Sequence, residues 1–207
     1  MALPPSKKVS PYARAPRLPE EGEIDPRNVL SASKPIELEI GPGHGGFILE
    51  RLVSEPNTYI MGLEVRRKWA TLVDERIQAL GFAPRGRVFS EDARAALPRF
   101  TSGSLARIYV HFPDPWWKKR HSKRRVVSPE FVDQAARLLI SGGDVFIQTD
   151  VPERAGLYEE LFTGHAAFDP WGESARVDDP NFGARSPRER RALADGLPFA
   201  RLRFRRR

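Results

Sequence analysis

The chain reads as an α/β protein built on a doubly wound, mostly parallel sheet with helices on both faces, and three observations predict this. Short apolar runs of strand length alternate with amphipathic stretches of helical period. A glycine-rich turn follows the first apolar run. Acidic residues stand at the ends of the later ones, so that Gly41, Glu64, Asp92, Asp114 and Asp150 should converge on one crevice beyond the carboxyl ends of the strands.

Residues 1–34 carry Pro4, Pro5, Pro11, Pro16, Pro19 and Pro26 with scattered charge and little apolar periodicity, which predicts a largely disordered arm ahead of one domain over 35–207. Order is expected from Ile36, where a short strand runs into glycines at 41, 43, 45 and 46 and then an amphipathic helix up to Glu50. Glycines after a strand let the backbone approach a ligand and aim helix N–H groups at it. Thr58 to Glu64 is the second expected strand, and its terminal acid lies where the ribose hydroxyls of a nucleoside-type cofactor would be met. A helix from Lys68 to Leu80, closed by Gly81, precedes a third strand from Arg87 to Asp92. Ala106 to Phe112 is the fourth strand, Ser128 to Ile140 a helix, Gly143 to Gln148 the fifth strand with Thr149 and Asp150 at its tip, and Val151 to Phe162 a helix. A loop over 169–185 and a basic segment lead to a last strand, Phe199 to Phe204.

The stretch after the fourth strand is the most unusual. Pro113 and Pro115 bracket Asp114 in a rigid elbow, Trp116 and Trp117 follow, and six Lys/Arg (Lys118, Lys119, Arg120, Lys123, Arg124, Arg125) fall within eight residues. A carboxylate, aromatics and a cationic block in succession suit a site that meets a polyanion and acts on part of it. The 207 residues hold 34 Lys+Arg against 27 Asp+Glu, and the excess gathers in this block and in the tail from Arg201 to Arg207, which points to nucleic acid. Cysteine is absent, which excludes disulfides and thiolate chemistry, and His44, His111, His121 and His165 lack metal-ligand spacing and read as structural or surface residues. No run reaches transmembrane length, so a soluble cytoplasmic protein without metal is expected.

Gly41, Gly43 and Gly46 also satisfy the dinucleotide pattern, so the turn alone leaves a nicotinamide cofactor open. Glu39, two residues before the first glycine, favours S-adenosylmethionine, whose amino-acid end carries an ammonium that NAD lacks. The Asp-Pro-Trp element after the fourth strand favours it too, because amino-group methyltransferases place such an element beside the methyl acceptor.

The run His111-Phe-Pro-Asp-Pro-Trp-Trp-Lys-Lys-Arg-His-Ser-Lys-Arg-Arg125 closely resembles the signature of the bacterial tRNA (guanine-N(7)-)-methyltransferases. Leu38 to Gly46, Gly62-Leu-Glu64, Asp92-Ala and Thr149-Asp150 fall in that family's order and spacing, and the match extends from about Ile36 to Phe204. The resemblance implies a class I methyltransferase, a Rossmann-like seven-stranded sheet, and methyl transfer to N7 of the variable-loop guanine (guanine-46) of tRNA. It also implies that Glu39, Gly41, Gly43, Glu64, Asp92 and Asp114 line the donor site, with Asp114 nearest the chemistry, and that Lys118 and Asp150 touch substrate. The family's Thr-Lys-Phe-Glu element aligns with Ser186, Pro187, Arg188 and Glu189, which keep a hydroxyl and the acid but not the two middle residues. Trp117 departs from the family as well.

Guanine N7 bears a lone pair and no proton, so its attack on the methyl group needs no general base. Catalysis should then be in-line positioning together with carboxylates that tolerate a cationic ring. Asp114 is the expected carboxylate, Asp150 and Glu189 are expected acceptors for guanine N1–H and N2–H2, and the block from Lys118 to Arg125 is expected on phosphates. The rival readings are a nicotinamide oxidoreductase and a catalytically silent tRNA-binding protein.

Overall fold

The computed structural model describes residues 12–114 and 125–207. Five strands run parallel: β1 (Ile36–Ile40), β2 (Ile60–Leu63), β3 (Gly86–Phe89), β4 (Leu105–His111) and β5 (Leu139–Thr149). β6 (Phe168–Pro170) and β7 (Ala200–Arg206) complete a seven-stranded sheet of order β3-β2-β1-β4-β5-β7-β6, in which β7 is antiparallel to both neighbours. The chain moves outward from β1 to β3 and then restarts at β4 on the other side of β1. That reversal opens a crevice beyond the carboxyl ends of β1 and β4.

Alternation along the strands builds two different faces. Leu38, Ile40, Ile108, Val110, Val145, Ile147, Leu202 and Phe204 face a core completed by α5 (Pro129–Leu138) and α6 (Pro152–Thr163), through Phe131, Val132, Tyr158 and Phe162. Tyr109 and Phe146 face the other way, onto α2 (Gly46–Ser54) and α3 (Arg67–Ala79), through Phe47, Ile48, Ala70 and Val73.

The second face also carries a buried ladder of charge. Glu37 of β1 accepts hydrogen bonds from Arg51 at 2.8 Å and from the Tyr109 hydroxyl at 3.0 Å. Arg107 of β4 donates to Asp144 of β5 at 2.6 Å, and Arg203 of β7 donates to the other Asp144 oxygen at 2.6 Å. Arg203 also lies 3.4 Å from the Trp171 ring centroid. Opposite charges thus alternate across four strands. The basic tail, expected on nucleic acid, is largely built into this framework: Arg203 holds Asp144, Arg201 holds Glu189 and Arg207 holds Asp169.

Three further features differ from expectation. The described part of the proline-rich arm, 12–34, is packed rather than loose, because it finds partners outside itself. Leu18, Ile24 and Leu30 are buried in the main core, Ile24 bridges to Phe100, and α1 (Pro26–Val29) is capped by Asp25. Strand β6 falls at the start of the expected 169–185 loop and is too short to show a period. The basic segment forms a helix, α7 (Pro187–Ala194), which Ser186 caps by accepting from Glu189 N–H. Its signature was present as Ser-x-x-Glu with proline at the first helical position. The short α4 (Ala93–Ala96) follows β3 and is capped by Asp92.

Asp144 satisfies two arginines from a nearly inaccessible position, its side chain 2% exposed. Replacing it by alanine strands both guanidiniums, so Asp144→Ala should lower unfolding free energy by about 3–5 kcal/mol, read from urea denaturation.

Candidate active site

A cleft of about 550 Å³ opens over the carboxyl ends of β1, β2 and β4 and is walled by Gly41, Gly43, Glu64, Arg66, Glu91, Asp92, His111 and Asp114, among others. The glycine turn forms its floor. Gly41 and Gly43 take φ of 72° and 54°, which lets the backbone itself face the ligand space. Glu64 fixes the turn from β2: one carboxylate oxygen accepts from Gly43 N–H at 3.0 Å and the other from Arg66 N–H at 2.9 Å.

The next two glycines serve packing. A Cβ on Gly45 would lie 2.4 Å from Val73 Cγ1, and one on Gly46 would lie 2.4 Å from Pro187 Cγ. α3 and α7 therefore close on the start of α2 from two sides, and α7 brings Ser186 to Glu189 to the same end of the sheet.

The elbow after β4 begins at Phe112, whose φ of 47° is rare for an aromatic residue. Its N–H donates to Gln148 O at 2.8 Å, which fixes the kink against β5. Pro113 and Asp114 then reach the cleft, and Asp114 is exposed there. On the β5 side, Asp150 pairs with Arg188 at 2.5 Å, and the Arg188 guanidinium lies 5.2 Å from the Phe112 ring centroid.

Beneath the cleft lies a buried polar group. Glu39 is 2% exposed and stands under the turn rather than on the cleft wall. Burial, with a smaller contribution from Glu64, pushes its carboxyl up to about 8. His111 stands between β1 and β5, its Nδ1 2.7 Å from Gln148 Oε1 and its Nε2 3.9 Å from Glu39 Oε1. Burial pushes the imidazole down to about 4, so it is neutral at physiological pH and the contact with Glu39 is no ion pair. Glu39 Oε2, His111 Nε2 and Gln148 Nε2 have no hydrogen-bond partner among the described residues. Glu39 does accept a backbone hydrogen bond from Ile48. An acid with no cation beside it and one oxygen unpartnered beneath a glycine turn nonetheless fits a ligand that brings a cation, as the amino-acid end of S-adenosylmethionine does.

The structure thus gathers Gly41, Gly43, Glu64, Asp92 and Asp114 around one cleft, with Asp92 paired to Arg94 on its rim, and buries Glu39 beneath it rather than on its wall. Ser186 directs its hydroxyl toward Gln148 Oε1 at 3.4 Å, and Glu189 is buried against Arg201 at 2.8 Å. Trp116, Trp117, Lys118, Lys119, Arg120, Lys123 and Arg124 lie outside the described residues. Arg125 is half-buried near Tyr158, where it and Arg154 partly offset the upward push of burial on the phenol. His111 and Gln148 went unrecognised as site residues in the sequence, although each is a polar break at the end of an apolar strand.

A family model described as "Putative methyltransferase" matches residues 33–199. The tRNA (guanine-N(7)-)-methyltransferase of Anaeromyxobacter dehalogenans is 41% identical over 175 residues, 82% of this chain and 84% of the relative. That of Myxococcus xanthus is 38% identical over 174 residues, 83% and 84% of the two chains. The chain belongs to the tRNA (guanine-N(7)-)-methyltransferase family. Solved structures share its fold at low identity. The 16S rRNA methyltransferase KamB superposes with a TM-score of 0.64 at 15% identity, covering 91% of this chain and 96% of the other. TrmN from Thermus thermophilus gives 0.58 at 20% identity, covering 87% and 47%. The seven-stranded class I methyltransferase fold expected from the sequence is the one found.

In the ligand-free protein Glu39 opposes folding once its unfolded counterpart ionises. Its folded value is raised from 4.5 to about 8, so stability is fully present below 4.5 and is lost as pH rises toward 8. Glu39→Gln should therefore melt higher than the parent protein at pH 8 and indistinguishably from it near pH 4.5, followed by thermal denaturation without ligand.

Proposed function

We infer that the protein transfers a methyl group from S-adenosylmethionine to N7 of guanine in tRNA, at the variable-loop guanine-46, and acts in the cytoplasm. The observation that carries this is the cleft shared by the glycine turn and Asp114, with Glu39 buried beneath it and one carboxyl oxygen unpartnered, in a member of this family. S-adenosylmethionine supplies an electrophilic methyl on a sulfonium. Glu39 balances the ammonium, ionising as it does so. Gly41 and Gly43 leave room for the amino-acid end, Glu64 accepts from ribose hydroxyls with the lone pairs its backbone contacts leave free, and Asp92 accepts from the base edge.

Asp114 stands at the mouth of the cleft, where its carboxylate orients guanine and stabilises the positive charge that develops on the ring as N7 attacks. Of the two carboxylates assigned to guanine N1–H and N2–H2, Asp150 is the accessible one and must exchange Arg188 for the base. Glu189, held by Arg201, serves mainly to fix α7, with Ser186, Pro187 and Arg188 presenting the substrate side of the site. Lys118, Lys119, Arg120, Lys123, Arg124 and Arg125 are assigned to the RNA backbone.

Incubation with labelled methyl donor and unmodified tRNA, followed by borohydride and aniline cleavage, should map label to N7-methylguanine at one site. Retention of a dinucleotide instead would favour the oxidoreductase reading, and tRNA binding without label a silent binding protein. Asp114→Ala should cut turnover by about 100-fold or more while tRNA affinity stays within a few-fold. Turnover near the parent value would remove Asp114 from the chemistry.

A further inference from the structure

Most described arginines of this protein have a partner, and the exceptions are informative. Arg66, Arg67 and Lys68 are consecutive, exposed, and form no ion pair among the described residues. No acid stands three or four positions on from any of them to answer the charge. They occupy the N-cap and first turn of α3, a helix with no side-chain cap and no acid in that turn. Cations there oppose the helix dipole. A destabilising local choice of this kind is expected where function demands it.

The position is as telling as the charge. Val65 and Arg66 line the cleft itself, and Arg66 N–H is held by Glu64, so the run forms the cleft's lip on the β2 side. Trp69, next in sequence, stacks on His44 of the glycine turn with ring centroids 3.8 Å apart at 29°, and the Lys68 ammonium lies 5.1 Å from the Trp69 ring centroid. The lip is rigid, because Val73 of the same helix packs directly on Gly45. Cations set around a stacked pair of flat rings, His44 exposed and Trp69 half-buried, suit a nucleic acid, whose phosphates and bases alternate.

We propose that Arg66, Arg67 and Lys68, with the His44 and Trp69 rings, form a second tRNA contact surface on the β2 lip of the cleft. It is separate from the 118–125 block, which follows β4, and it rests on the tRNA-methylating reading above. Its partner is the sugar-phosphate backbone of the substrate RNA.

The test is equilibrium binding of unmodified tRNA across a salt series to the full chain, with the paired substitution Arg67→Glu and Lys68→Glu. The pair should weaken binding about tenfold at low salt and flatten the slope of log K against log salt by about 1.5 to 2, the release expected for two phosphate contacts. S-adenosylhomocysteine affinity, measured by calorimetry, should stay within twofold and show the cleft intact. Arg76→Glu, at the far end of α3, should leave the slope unchanged. If the parent protein methylates tRNA while the pair binds it with unaltered affinity and slope, the surface is refuted and the enzyme reading stands. An equal loss per charge from Arg76→Glu would also refute it, by making the effect one of net charge. If the parent protein neither binds nor methylates tRNA, both readings fall together.

Discussion

Two adjacent glycines, Gly45 and Gly46, are the constraint on which the site depends. Val73 of α3 occupies the space where one Cβ would stand and Pro187 of α7 the other. Any side chain at either position must push a helix away. Because both helices are held so closely, three things separated in sequence share one end of the sheet: the turn that faces the donor space, the lip carrying Trp69, and the helix carrying Ser186 to Glu189. Ser186 meets Gln148 and Arg188 meets Asp150 only because α7 docks against the start of α2.

β1 shows how the protein treats buried acids according to their use. Glu37 and Glu39 lie two residues apart on the same face. Glu37 is answered by Arg51 and the Tyr109 hydroxyl and begins a ladder that continues through Arg107, Asp144 and Arg203 to β7. Glu39 has no cation nearby: beyond a backbone hydrogen bond from Ile48 it meets a neutral imidazole and the repelling carboxylate of Glu64, and burial holds it near 8. The first arrangement ties the antiparallel edge of the sheet to its centre. The second keeps a carboxyl in reserve, at the cost of stability, for a cation that must come from outside.

Much of the site was legible because the residues that make it are punctuation. Glycines, prolines and acids at strand ends break the apolar pattern, so Gly41, Glu64, Asp92 and Asp114 could be placed from order alone. That the central strands run parallel followed from strand–helix alternation, whereas their order in the sheet came from the structure. The tail could not be read in the same way: its arginines resemble a nucleic-acid patch until Asp144, Glu189 and Asp169 are found opposite them. The arm misled for a related reason. A proline-rich segment with no core of its own can still be buried on a core supplied by distant residues, as Leu18 and Ile24 are, Ile24 bridging to Phe100.

The sequence by itself determined the local chemistry: an α/β chain, a glycine turn, a carboxylate in a rigid elbow and a hydroxyl-proline helix start. Those depend on backbone preference and short-range pattern, which neighbouring residues decide. Tertiary structure alone decided which charges are spent and which remain available. A charge is neutralised by whatever the fold sets within a few ångströms, and strand order rather than sequence distance fixes that. Thus Arg203 became structural, Glu39 kept an unpartnered oxygen with no cation beside it, and Arg66, Arg67 and Lys68 remained open on the lip of the cleft.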